Sequence, residues 1–151
     1  MQDGVVILNN SRQENISLFR QYADLNNTPS TIFDTVKTES VYPEEHTLLG
    51  LYKNGVILDV AHLQTERDLK VGRIELDGVS SKKDQRELLK QTENYAYTNL
   101  GMEEVVFIQN ENGGLDTSYL ISEGYEDLGM EDEKHIFIKP KQMEKDISFY
   151  R

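Results

Sequence analysis

VGRIELDGVSSKKDQRELLKQTENYAYTNLG, residues 71–101, decides how this chain folds. Residues 71–79 read as a strand, and residues 84–100 place Leu88, Leu89, Thr92, Tyr95, Ala96 and Leu100 on one face of a helix that Gly101 closes. A second apolar run follows at 105–109. Strand, helix and strand in this order form a crossover unit, whose two strands are expected side by side and parallel in one sheet. Ligands of such sheets gather at strand ends, so the turn at 79–84 is the first place to look for function.

Working outward, Asn54-Gly55 separates the apolar stretches 47–53 and 56–64. It is the dipeptide of the two-residue hairpin, since both turn positions need positive φ. A reversal at 65–68 feeds the strand of the opening motif, giving a three-stranded antiparallel meander. Further upstream, residues 5–8 form a first strand. Ser11 and Glu14 form a capping box ahead of a helix carrying Ile16, Phe19 and Tyr22, and Thr28-Pro29 starts a second, shorter helix with Ile32, Phe33 and Val36. Asp84 with Glu87 reads as another capping box. Downstream, a short helix around 115–123 stops at Gly124, and strands 125–130 and 135–139 make a last hairpin turning at 131–133. The expected architecture is α/β, an α+β mixed sheet in the order β-α-α-β-β-β-α-β-α-β-β. One domain spans 1–140, and 141–151 is a tail that frays or docks through Ile147, Phe149 and Tyr150.

Composition narrows the function classes. With 27 acidic against 16 basic residues the formal net charge is −11, which disfavours a nucleic-acid partner. A cationic or amine substrate suits that charge better. No apolar run approaches membrane-spanning length, and no signal-peptide pattern opens the chain, so a cytoplasmic protein without a membrane partner is expected. The absence of cysteine excludes disulfides, thiolate zinc sites and a cysteine nucleophile. His46, His62 and His135 lack the spacing of a metal site, and His62, on a strand beside Leu58 and Val60, reads as a hydrogen-bonded core residue.

The element order, with three segments, resembles the GNAT-type N-acetyltransferases over nearly the whole chain. Residues 118–129, SYLISEGYEDLG, resemble the family's fourth helix and the strand after it. Residues 55–63, GVILDVAHL, resemble its third strand, with Asp59 where glycine is usual, and residues 74–79, IELDGV, resemble its fourth. The resemblance implies acetyl-CoA bound between the fourth and fifth strands, which splay after a bulge near the end of the fourth. Backbone groups around Gly78 and Val79 would hold the pantetheine arm, and the next helix N-terminus the pyrophosphate, with Ser80 among the cofactor-binding candidates. The family's glycine-rich phosphate loop is not preserved in residues 80–87, SSKKDQRE. Lys82, Lys83 and Arg86, with Lys90, offer side chains for phosphate instead; the competing reading is a solvated helix start. Asn112 is a further candidate for pantetheine or substrate, or a plain turn former.

Amine acetylation needs a base, an oxyanion stabiliser and an acid for the leaving thiolate. Glu75 and Asp77 share a strand face, their Cα atoms roughly 6–7 Å apart. Such a pair raises one member's pKa, as a base requires; ordinary surface carboxylates are the alternative. Tyr119 is the acid candidate, although the family's tyrosine falls at Leu120, about 100° away around a helix, and core packing competes for Tyr119. The expected function is acetyl transfer from acetyl-CoA to a small-molecule or peptide amine. The alternative is a catalytically inactive GNAT-like domain that binds a ligand or a protein. Family members often dimerise, so a homodimer is expected without a surface being fixed.

Overall fold

The structure is a computed structural model, and it describes residues 2–9, 12–26, 46–111 and 113–141. In chain order the elements are β1 (Gly4–Ile7), α1 (Gln13–Leu25), β2 (His46–Lys53), β3 (Val56–Glu66), β4 (Val71–Leu76), α2 (Lys82–Thr98), β5 (Glu104–Asn110), α3 (Thr117–Ser122), β6 (Glu126–Glu131) and β7 (Lys134–Pro140). The strands form one seven-stranded sheet in the order β1-β2-β3-β4-β5-β7-β6. β4 and β5 pair in parallel, from Val71 opposite Glu104 to Glu75 opposite Ile108, as the crossover motif requires. The shorter helix read at Thr28-Pro29, the Ser11 half of the first capping box and the tail beyond 141 lie outside the described residues.

The hairpin at Asn54-Gly55 forms with φ of 52° and 87°, leaving Lys53 opposite Val56. The last hairpin turns the same way through Asp132 and Glu133, at φ 49° and 66°, without a glycine. One correction falls on β4. It ends at Leu76 instead of running to 79, because the chain turns at Gly78, φ 73°, and the Gly78 amide bonds to a side chain instead of continuing a ladder. The bulge expected there is not found in the pairings of β4; register shifts lie between Leu51 and Tyr52 in β2 and between Asp127 and Gly129 in β6.

Alternation along the strands makes two cores. Leu49, Leu51, Leu63, Ile74, Val105, Phe107 and Phe137 face α2 and α3, where they meet Leu88, Leu89, Ala96 and Leu120. On the other face Leu48, Ile57 and Val60 pack with Leu8 and with Phe19 and Tyr22 of α1. β5 lies between β4 and β7, a central position in keeping with its apolar run. Phe107 is 1% exposed and stacks on Phe137 with centroids 6.4 Å apart. Phe107→Ala is expected to destabilise the fold by about 3–5 kcal/mol in urea unfolding; a loss below about 1 kcal/mol would place that ring outside the core.

Candidate active site

One side chain organises the turn from β4 into α2. Asp59, on β3, is fully buried. Its Oδ1 accepts from the amides of Val60 (2.9 Å) and Gly78 (3.1 Å), and its Oδ2 accepts from the Ser80 amide (3.2 Å) and the Ser80 hydroxyl (2.6 Å). A carboxylate has roughly four acceptor sites, so these donors saturate it and offset its burial. Gln85 serves the carbonyl side of the same turn: its Nε2 donates to Ser80 O at 2.8 Å and lies 3.5 Å from Gly78 O.

The helix start differs from the sequence expectation. Ser81 is the N-cap of α2, its Oγ accepting from the Asp84 amide at 3.2 Å. Asp84 therefore occupies the third helical position instead of capping. Asp84 and Glu87 together hold Lys53 Nζ, at 3.1 and 3.3 Å, and the Lys53 hydrogen bond keeps the Asp84 carboxyl below its ordinary value.

The expected phosphate-side residues sit around this turn. Lys82 pairs with Asp116, just before α3, at 3.1 Å. Arg86 lies over the Tyr119 ring at 4.3 Å, and its Nε is buried without a hydrogen-bond partner. Val79 is half-exposed. Asn112 lies outside the described residues. A pantetheine arm held by the amides of Gly78 and Ser80 does not fit, because those donors already serve Asp59. The cationic side chains of Lys82, Lys83 and Arg86 do fit an anion.

On the opposite face, the β4–β5 ladder stops at Glu75 and Ile108 while β5 continues to Asn110 beside β7. A cavity of about 430 Å³ lies on this face, lined among others by His46, Leu48, His62, Arg73, Glu75 and Asp77. Asp77 is its best-held polar group: Tyr22 Oη donates to Oδ2 at 2.6 Å, and His62 Nε2 is 2.9 Å from Oδ1. Burial alone would raise the Asp77 carboxyl, but the hydrogen bonds from His62 and Tyr22 outweigh it and hold the group below its ordinary value. The same contact and, above all, burial push the Tyr22 phenol far upward. The expected elevation of one member of the Glu75–Asp77 pair is thus not found at Asp77, which is stabilised as the anion.

With Asp77 held as the anion, His62 Nε2 is the donor of the hydrogen bond they share. His62 is cross-strand to Glu75, and Lys134 stands 3.9 Å from Glu75. The structure brings Glu75 and Asp77 together on the cavity wall but does not bring Tyr119 to it. Tyr119 donates to Glu123 Oε1 at 3.3 Å and is raised mainly by burial. Sequence reasoning read His62 as hydrogen-bonded and noted Asp59 in place of a glycine, but missed their partners, Asp77 for His62 and the turn amides for Asp59, and missed Tyr22 on Asp77. The available signals were a carboxylate at an inward strand position and a histidine at the same strand parity as Val60. Among the described residues, no cluster of histidines and carboxylates is placed to hold a metal ion, and no helix is long and apolar enough to cross a membrane.

The architecture is one found in solved structures. The chain resembles an apo nucleotide-linked sugar GNAT at a TM-score of 0.68, with 14% identity over 99% of this chain and 94% of that one. It resembles a Campylobacter jejuni N-acetyltransferase in complex with acetyl coenzyme A at 0.65, with 8% identity over 93% and 100% of the two chains. A spermidine N-acetyltransferase variant from Vibrio cholerae follows at 0.63, with 10% identity over 90% and 94%. No family model and no curated protein matches the sequence. The protein has a GNAT-like fold: a mixed α/β sheet with β4 and β5 parallel.

A carboxyl depressed in the folded state contributes stability above its unfolded pKa and loses it as pH falls through the folded value. Asp77→Asn is therefore expected to flatten the fall in urea midpoint between about pH 5 and 2. An unchanged slope would mean that Asp77 is not held as the anion.

Proposed function

We propose that this protein is an N-acetyltransferase of the GNAT type, taking an acetyl group from acetyl-CoA to a small-molecule or peptide amine. The observation that carries this reading is the hydrogen-bonded chain of His62, Asp77 and Tyr22 on the wall of a cavity beside the point where β4 and β5 part. An amine arrives at neutral pH as an ammonium ion and is not nucleophilic until it loses a proton. His62 Nδ1 accepts that proton. Asp77 fixes the ring and offsets the imidazolium charge, so it acts as a positioning residue, and Tyr22 anchors Asp77. Glu75, opposite His62, adds negative charge that draws the ammonium in.

Acetyl-CoA supplies the activated acyl group. The side chains that would hold its phosphates are Lys82, Lys83 and Arg86 at the start of α2. Tyr119 stands beside Arg86 on the α2 face, its phenol pushed up by burial, and would serve a leaving thiolate as proton donor by giving up its hydrogen bond to Glu123. A second reading, a GNAT-like fold that no longer binds acyl-CoA, is favoured by one observation: the Asp59 carboxylate occupies the amides of the turn.

The two readings separate in a thermal unfolding experiment with acetyl-CoA and with free CoA. One-site binding at a hundredfold excess over Kd stabilises by about 2.7 kcal/mol, roughly 5–11 °C for a domain of this size. That shift is expected, with thiol release on adding an acceptor amine. His62→Gln keeps a donor for Asp77 but has no basic nitrogen, and is expected to lower kcat by about 10²–10⁴ while retaining the midpoint shift. No shift with either ligand would overturn the proposal in favour of the second reading.

A further inference from the structure

The charges on the cavity wall do not balance as a site for a plain amine would. His62 is taken by Asp77, and Glu75 has Lys134 at 3.9 Å. Arg73 also lines the cavity, yet among the described residues its guanidinium has no ion pair, in a chain of net charge −11. Arg73 is exposed on that concave wall, where a guanidinium can hold an anion from outside.

Its position relative to the base is defined by register. Arg73 is opposite Gln64, and His62 is opposite Glu75, so Arg73 and His62 are diagonal neighbours on adjacent antiparallel strands. Diagonal neighbours lie about 7–8 Å apart, close enough for one small molecule to touch both side chains. Arg73 also borders a second hollow of about 710 Å³ over Val71, Val106, Ile108 and Ile136, so it stands where the two depressions meet. A guanidinium matches a carboxylate in planar, two-point geometry, and the neighbouring Gln64 amide adds donors.

We infer that the acceptor is an aminocarboxylate, a free amino acid whose ammonium group meets His62 and Glu75 and whose carboxylate is held by Arg73 with Gln64. This deepens the acetyltransferase reading and rests on it for the fate of the amine, but the binding it requires does not depend on acyl transfer. A polycation is disfavoured on the same grounds, because Arg73 would repel its second charge.

The test is calorimetric binding to the full chain without acetyl-CoA, comparing α-amino acids, β-alanine and γ-aminobutyrate with the same amines lacking the carboxylate. Acetyl transfer to the same compounds is followed separately. At least one aminocarboxylate is expected to bind about 10- to 100-fold more tightly than its decarboxylated partner. In Arg73→Gln that ratio should collapse towards one, and in Arg73→Lys it should fall to an intermediate value, with unfolding midpoints reporting that both variants are folded. Arg73-dependent binding without acetyl transfer would support this assignment while overturning the proposed activity. Acetyl transfer to plain amines as good as or better than to aminocarboxylates, or a preference that survives Arg73→Gln, would overturn the assignment and leave the activity standing. Binding of none of the compounds would overturn it as well.

Discussion

The carboxylate of Asp59 is the constraint on which the arrangement of this molecule depends. Burying a carboxyl group is costly, and here four donors from three residues, Val60 of β3 and Gly78 and Ser80 of the turn, offset the cost. Two of them are amides of a turn that no strand or helix otherwise satisfies. The interaction ends β4 at Leu76, turns the chain through Gly78 and delivers Ser81 to the N-cap of α2. The neighbouring residue works on the other side: Val60 O accepts from the Asp77 amide at 3.0 Å, and this sets Asp77 beside His62. Adjacent residues of β3, pointing to opposite faces, thus fix both the turn and the polar wall of the cavity.

The two faces divide the chemistry. The α2 face carries the turn, the cations Lys82, Lys83 and Arg86, and Tyr119. The α1 face carries His62, Glu75, Asp77 and Arg73 around the cavity. The β4–β5 ladder ends at Glu75 and Ile108, next to the cavity on the α1 face, while β5 runs on beside β7. Asp59 occupies the Gly78 and Ser80 amides, so under the proposed function an anion at the start of α2 would rely on side chains. Such contacts respond to salt more than buried amides do.

Much of the fold was legible in the sequence because local chemistry and tertiary demand agree. Asn54-Gly55 suits a tight hairpin, and the apolar run of β5 suits a strand inside the sheet, where Val105 and Phe107 are buried on the α2 face. Parallel pairing of β4 with β5 follows from the helix between them. Boundaries were misread where a distant side chain decides them. The end of β4 and the cap of α2 depend on Asp59, some twenty residues upstream, and no periodicity within residues 71–101 reveals it. The site was legible as a location more than as a set of roles. Glu75 and Asp77 are on the cavity wall, but the shift of Asp77 is set by Tyr22 and His62 from two other elements. A pair rule applied along one strand gives the opposite sign.

Amide hydrogen exchange at Gly78 and Ser80 tests most directly whether Asp59 holds the turn. If the carboxylate is the internal acceptor of both amides, they should be protected to the level of core amides such as Ile74 and Phe107, and Asp59→Asn should expose both while those core amides stay protected. Exchange of Gly78 and Ser80 at the rate of exposed turn amides such as Asp132 in the unaltered protein would contradict the account.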